Sequence, residues 1–203
     1  MWTGCVLYVA FTLIRRHSSR RTREAEAELE YTESKRGIDY LRYLIGYEVL
    51  TYALYVVDVN VGPDRMIFQL SFPWWLRWTG AALFAAADLL FLQVHRHLGA
   101  NFYANLKLRK GHELVTTGPY RWVRHPMYLG LYLNHLGVFL LTANWFIGAT
   151  WLVGFTLIMV YRLPREEAMM LNKFGADYEL YRKRTGRFLP TWGAVFAARR
   201  HNA

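Results

Sequence analysis

Apolar residues along this chain come in blocks rather than in even alternation, with arginine- and lysine-rich stretches between the blocks. Five blocks stand out: residues 1–14 (MWTGCVLYVAFTLI), 38–59, 73–94, 126–142 and 145–163. A helix needs about 20 apolar residues to cross the hydrocarbon of a bilayer. The first block falls short of that, so a tilted, incomplete or interfacial placement all stay open for it. Arg15, Arg16, Arg20, Arg21 and Arg23 follow it at once and no small-residue cleavage site appears, so it is not expected to be a cleaved leader. Residues 22–36, TREAEAELEYTESKR, are expected to form a charged, solvated helix. The fourth and fifth blocks are joined by TANW, residues 142–145, a link so short that the two helices must form an antiparallel hairpin.

The polar stretches then set the orientation. Residues 15–36, 95–125 and 162–187 are rich in Arg and Lys, whereas residues 60–72 hold one basic residue, Arg65, and the 142–145 turn holds no charge. Basic loops stay on the cytoplasmic side. That alternation fits five spans with the N-terminus outside. The expected fold is an all-α integral membrane protein of about five transmembrane helices, with no repeat or low-complexity tract.

Composition supports the membrane reading. Hydrophobic residues make up 54% of the 203 and aromatic residues 17%, while the net charge is +10. A soluble basic protein bound to nucleic acid would spread that charge over amphipathic elements, so no nucleic-acid partner is expected. The single cysteine, Cys5, excludes an internal disulfide and lies in an apolar run, as a packed thiol would. Two carboxyls, Glu48 and Asp88, fall in the middle of the second and third spans. Such groups face a cavity or a partner. Either a neutral acid bonded between helices or, for Glu48, a place on a substrate path fits that position.

The densest chemistry lies in GPYRWVRHPMYLGLYLNHLG, residues 118–137. Pro126 suits the first position of a helix, where its missing N–H costs nothing. The residue before a proline is pushed out of the helical region, which makes His125 the cap. The N–H groups of Met127 and Tyr128 then point outward at the positive end of a helix dipole, a ready site for a carboxylate or phosphate. Arg124 adds a fixed charge. A plain helix start at the membrane interface, with Arg124 on lipid phosphate, is the blander alternative.

A second constellation follows the fifth span, MVYRLPREEAMMLNKFGADYELYRKRTGRFLP, residues 159–190. Arg162 and Glu166 are four apart and share a helical face. Pro164 between them removes a helix hydrogen bond, so the helix end should bend or open there. Glu167 lies well round the helix and should face elsewhere. Because the two helices form a hairpin, Arg124, His125 and Pro126 should come close to Arg162, Glu166 and Glu167. An interfacial ion-pair network is the alternative use of the same groups.

GHELVTTGPYRWVRHPMYLG, followed by YRLPREE and FGADYELYRKRTGRFLP, resembles the isoprenylcysteine carboxyl methyltransferase family, whose wider group includes phospholipid N-methyltransferases. The resemblance covers about residues 95–190. It divides the chain into residues 1–94, transmembrane helices with the charged cytosolic helix, and residues 95–203, a methyltransferase core of cofactor loop, hairpin and cytosolic C-terminal helix. It implies S-adenosyl-L-methionine as cofactor, held by His112, Leu114, Val115, Tyr120, His125, Pro126, Met127 and Tyr128, with Glu166 on the other side. Arg162 would face the methyl acceptor, with Glu167 and Arg124 as further catalytic candidates. No G-x-G-x-x-G follows a strand, in keeping with a cofactor site outside a dinucleotide-binding fold. His95, His97 and His112 lack the spacing of a metal site, so no metal is expected, and His135 is a packing residue that hydrogen-bonds.

The implied chemistry is methyl transfer to a lipophilic or prenylated substrate drawn from the bilayer, in a multi-pass protein of the inner or plasma membrane with its active site facing the cytoplasm. A carboxylate acceptor needs an orienting cation and no base, which Arg162 supplies; a lipid amine needs a general base, for which Glu167 is placed. Carboxyl O-methylation of isoprenylcysteine or a similar small lipophilic acid is the first reading. N- or S-methylation of a phospholipid or small thiol is the second, and a non-enzymatic membrane scaffold or sensor the third.

Overall fold

The structure, a computed structural model, describes residues 29–32, 46–57, 60, 68–99, 107–109 and 111–191. Within that range the apolar blocks are helical. Residues 46–57 (α1) lie in the second block, Trp74–Leu98 (α2) covers the third, Pro126–Thr142 (α3) the fourth, and Trp145–Phe174 (α4) covers the fifth and runs past it. A short helix, Ala176–Arg184 (α5), follows. The first block, residues 1–14, lies outside the described residues.

Both α2 and α4 are long and apolar enough to cross a membrane, with mean hydropathies of 1.3 and 1.6 over their most apolar windows. Only 22% and 39% of those windows are buried inside the protein, so these are not core helices of a soluble fold. Leu89, Leu92, Val153, Leu157 and Val160 project outward from them. At 17 residues, α3 spans about 25 Å at 1.5 Å per residue.

The α3–α4 hairpin closes through Ala143, in the left-handed region at φ 52°, and Asn144, whose side chain caps α4 by accepting the Ile147 N–H at 3.0 Å. The segment before α2 is stitched to this turn. Leu70 N–H donates to Ala143 O at 2.6 Å, Trp145 N–H to Phe68 O at 3.1 Å, and Gln69 Nε2 to Thr142 O at 2.9 Å. Trp74, Trp75, Trp78 and Trp145 are all exposed at this end, the placement of an aromatic belt at a membrane surface. The polar constellations lie at the opposite end.

Close backbone contact joins α2 to α3. A Cβ on Gly80 would sit 2.8 Å from Gly137 O, and one on Gly137 would sit 2.9 Å from Gly80 O. Small residues let membrane helices approach and pack where no hydrophobic effect drives them together. Gly137→Leu is therefore expected to separate the two helices and lower the thermal stability of the detergent-solubilised protein; an unchanged melting temperature would show that this contact contributes little.

One expectation is corrected here. The charged helix over residues 22–36 is not formed at Leu29–Thr32, which is a strand (β1) paired antiparallel with Lys107–Arg109 (β2). The register sets Leu29 against Arg109 and Thr32 against Lys107, with an irregularity between Leu29 and Tyr31. A polar segment without an apolar stripe has little to hold it helical, and Tyr and Thr favour a strand once an edge is offered. The helical class stands, with this one small ribbon beside the helices. Pro164 lies inside α4, which continues to Phe174. Proline removes a single hydrogen bond, and the buried contacts of Leu163, Glu167 and Met169 on either side hold the helix together through it.

Candidate functional site at the hairpin mouth

The loop leading into α3 is shaped by two glycine-proline features. Gly118 has φ 58° and the His97 ring of α2 against it, leaving no room for a Cβ. It opens a single 3-10 turn, Gly118–Arg121, in which Pro119 is buried. Pro126 then starts α3 with His125 as N-cap (φ −124°, ψ 59°). The first amide to bond within the helix is Leu129, to His125 O at 3.2 Å, so the Met127 and Tyr128 N–H groups remain at the free helix end.

The His125 side chain does not cap the helix. It reaches across to α4 and lies between two carboxylates, with Nδ1 at 3.5 Å from Glu166 Oε1 and Nε2 at 3.3 Å from Glu167 Oε1. This corrects the expectation that Glu167 faces away. The two residues do diverge around the helix, but the imidazole fills the wedge between them. Tyr128, one turn into α3, donates its hydroxyl to Glu166 Oε2 at 2.6 Å. That hydroxyl is also within hydrogen-bond reach of Arg162. Arg162 is 6% exposed, against the buried cluster of Tyr128, Phe155, Met159 and Leu163. So His125, Pro126, Tyr128, Arg162, Glu166 and Glu167 meet at one place.

Glu167 is the anchor on the far side. Its Oε1 accepts from Arg124 Nε and Nη2, both at 3.2 Å, and from Arg187 Nε at 3.2 Å; its Oε2 accepts from Arg187 Nη2 at 2.7 Å. Arg124 also donates through Nη1 to the carbonyls of Arg182 (3.1 Å) and Thr185. The chain after α5 returns here as a short strap. Arg124 N–H donates to Gly186 O at 2.8 Å and His125 N–H to Arg187 O at 3.1 Å, while Phe188 packs on His125 with ring centroids 6.2 Å apart. Arg187 and Phe188 were not singled out from sequence, although both lie in the quoted stretch RTGRFLP. Their one legible signal was a basic and an aromatic residue between a glycine and a proline.

Of the remaining loop candidates, Tyr120 lies within electrostatic reach of Glu166. Tyr120 offers its carbonyl to the Tyr181 hydroxyl at 2.7 Å. His112 lies 6.2 Å, ring to ring, from Phe174 at the end of α4, and Leu114, Val115 and Met127 are half-buried. Burial, then the negative charge of Glu166, pushes the Tyr120 phenol well up; burial and Glu167 push Tyr178 up to about 12. Both stay neutral donors at physiological pH. Glu48 is not at the mouth but pairs with His135 deeper in the bundle. Among the described residues no group of His, Cys, Asp and Glu is arranged to hold a metal.

Burial opposes a charged His125, but the hydrogen bonds and charges of Glu166 and Glu167 outweigh it and raise the His125 pKa above its ordinary value. A raised folded-state pKa gives stability that is complete below the unfolded value, about 6.5, and is lost as pH rises through the folded one. Thermal stability is therefore expected to decline as pH rises above that value, with a shallower decline in His125→Asn. Identical slopes for the two proteins would remove His125 from this role.

The profile of the family described as phospholipid methyltransferase matches residues 75–177. The chain is 30% identical over 118 residues to protein-S-isoprenylcysteine O-methyltransferase of Homo sapiens, covering 57% of this chain and 42% of that one. It is 36% identical over 84 residues to the protein of the same name from Schizosaccharomyces pombe, covering 41% and 36%. The chain thus spans less than half the length of these relatives. A solved structure of the eukaryotic intramembrane Ras methyltransferase, isoprenylcysteine carboxyl methyltransferase, superposes with a TM-score of 0.59 at 25% identity, over 73% of this chain and 52% of that one. The matched region holds α2, α3, α4 and every acidic and basic group at the hairpin mouth except those of the strap, and by it the chain belongs to the phospholipid methyltransferase family, grouping there with the isoprenylcysteine carboxyl methyltransferases.

Proposed function

We propose that this protein is an S-adenosyl-L-methionine-dependent membrane methyltransferase that O-methylates the carboxylate of isoprenylcysteine or a similar small lipophilic acid. The observation that carries this reading is Arg162, a guanidinium buried among Tyr128, Phe155 and Met159 beside the Glu166 carboxylate. A buried cation facing an apolar seam suits an acceptor that is anionic at one end and greasy behind it.

The donor set fits the cofactor. The free N–H groups at the start of α3 suit the methionine carboxylate, and Glu166 suits the ammonium. Tyr120 and the half-buried His112, Leu114, Val115 and Met127 supply the mixed polar and apolar wall that the rest of the molecule needs. When bound, the cofactor supplies a methyl group already activated by its sulfonium. The protein's task is then alignment and exclusion of water. Arg162 holds the acceptor carboxylate by its planar fork; one carboxylate oxygen forms the new bond to carbon, the electron pair of the broken bond stays with sulfur, and no proton moves. Tyr128 bridges the two sides by holding Glu166 while facing Arg162. Glu167 and Arg124 act by positioning, since each is engaged with the other and with the strap.

The family name favours one second reading, N-methylation of a phospholipid amine. Such an acceptor arrives protonated and needs a base. Glu167, which accepts from two guanidinium groups, is a poor one, and this leaves Glu166. Purified protein given radiolabelled cofactor and acid, amine or thiol lipids in liposomes tests the choice. Alkali-labile product from the acids is the expected result, and stable product from amines alone would overturn it. The mouth is assigned to the cytoplasm and five spans to the whole protein by the distribution of Arg and Lys. Labelling of a cysteine placed at 111–115 by an impermeant reagent outside intact cells would reverse that orientation.

A further inference from the structure

His125 stands between two carboxylates that are held differently. Its Nε2 lies 3.3 Å from Glu167 Oε1, and its Nδ1 lies 3.5 Å from Glu166 Oε1. A carboxylate oxygen only accepts, so a ring that faces one at each nitrogen is satisfied as the doubly protonated imidazolium. The two carboxylates hold that proton above the ordinary histidine range although the residue is 5% exposed. Glu167 does not depend on it. Arg124 and Arg187 both pair with that carboxylate, at 3.2 and 2.7 Å. Glu166 accepts from Tyr128 through Oε2 at 2.6 Å, has the Arg162 charge nearby, and faces the imidazolium through Oε1. This last contact, at 3.5 Å, is long for a charge-assisted hydrogen bond, which runs at about 2.7–2.9 Å.

Exposure separates the two acids as well. The Glu166 side chain is 28% exposed, against 8% for Glu167 and 4% for His125. A polar ligand therefore reaches Glu166 without breaking the Arg124–Glu167–Arg187 network. Charge sets what that ligand finds. Around the His125–Glu166 pair stand Arg124, Arg162 and Arg187 against Glu166 and Glu167, with Tyr120, Tyr128 and Tyr178 as neutral phenols. Three cations against two anions leave one positive charge, and a protonated His125 makes it two. S-adenosyl-L-methionine is itself a cation, since its sulfonium and ammonium outnumber its carboxylate. A cation entering a partly buried site of like sign favours the less charged state of that site.

We propose that protonated His125 is a stand-in for the cofactor's ammonium beside Glu166, and that cofactor binding expels the Nδ1 proton to solvent. The proposal rests on the assignment of Glu166 to that ammonium. In the free protein the imidazolium matches the charge of Glu166. In the complex the ammonium does so, and two cations at such close range repel. The step breaks one N–H bond, leaves the electron pair on Nδ1 and passes the proton to the buffer. Nδ1 then turns from donor to acceptor on the side of Glu166, where an ammonium with three donors can use it. Nε2 keeps its proton for Glu167. Linkage is reciprocal, so if binding removes a proton, protons weaken binding. Cofactor affinity falls as pH falls through the range in which free His125 is charged and bound His125 is not.

The test is titration calorimetry of the full-length, detergent-solubilised protein with S-adenosyl-L-methionine and no acceptor. A pH of about 6.5–7 keeps the cofactor's own amino group protonated. Repetition in buffers of different ionisation enthalpy counts the protons released. The wild type is expected to release about half a proton to one proton per cofactor bound. Its dissociation constant should rise about three- to tenfold from about pH 7 to about pH 6, tenfold being the limit for one proton. H125N, whose amide hydrogen-bonds but does not titrate, should release about none. Zero release or proton uptake in the wild type, or undiminished release in H125N, overturns the proposal. Should H125N fail to bind the cofactor, R187Q decides. It leaves the Glu167 charge more fully to His125, so its affinity should begin to fall at a higher pH than that of the wild type, and an unmoved profile overturns the proposal. A wild type that binds no cofactor would instead remove the cofactor reading itself, and this proposal with it.

Discussion

Alanine at Arg162 is expected to slow single-turnover methyl transfer by about 30- to 1,000-fold, the equivalent of roughly 2–4 kcal/mol for a lost charge-assisted contact in a desolvated site. The geometry makes this the most sensitive position for chemistry. Arg162 is buried beside Tyr128 and Glu166, whereas Arg124 and Arg187 pair with Glu167. Arg162→Lys keeps the charge but loses the fork, so it should recover only part of the rate. Cofactor affinity should weaken by no more than a few-fold, because Tyr128 and Glu166 keep their own bond at 2.6 Å. Rates of transfer and cofactor dissociation constants measured on one preparation separate the outcomes. If binding falls as far as rate, Arg162 serves the cofactor. If neither moves, the acceptor is not a carboxylate.

How much of this arrangement could be read in advance depended on whether the signal was local. The hairpin follows from four residues, TANW, because so short a link allows one geometry. The start of α3 follows from Pro126, and the shared face of Arg162 and Glu166 from helical spacing. Non-local contacts were another matter. The strap, where Arg124 and His125 bond to Gly186 and Arg187, joins segments some sixty residues apart and leaves no periodic trace. Glu167 shows the limit of a helical wheel. Its direction from the axis was legible, but nothing in the wheel says that an imidazole from another helix occupies the wedge beside Glu166. At Pro164 the helix runs on to Phe174, with Leu163, Glu167 and Met169 buried on either side of the missing bond.

Glu167→Gln is expected to cost about 3–5 kcal/mol of stability, the usual penalty for removing one member of a buried charge network. The side chain keeps its size, so the cost comes from the charges left behind. Arg124, whose side chain is 10% exposed, would face an amide in place of a carboxylate, while its Nη1 stays tied to the carbonyls of Arg182 and Thr185. Arg187 is 54% exposed at its side chain, so water replaces its partner and its share is small. Arg124→Gln in the same background should restore part of the loss, since it removes the stranded charge. Chemical or thermal unfolding of the two single variants and the double variant gives that coupling directly. Glu166→Gln, by contrast, leaves the Arg124–Glu167–Arg187 network whole and should weaken cofactor binding more than stability. A Glu167→Gln protein as stable as the wild type but unable to transfer methyl groups would reverse the assignment, making Glu167 the base and an amine the acceptor.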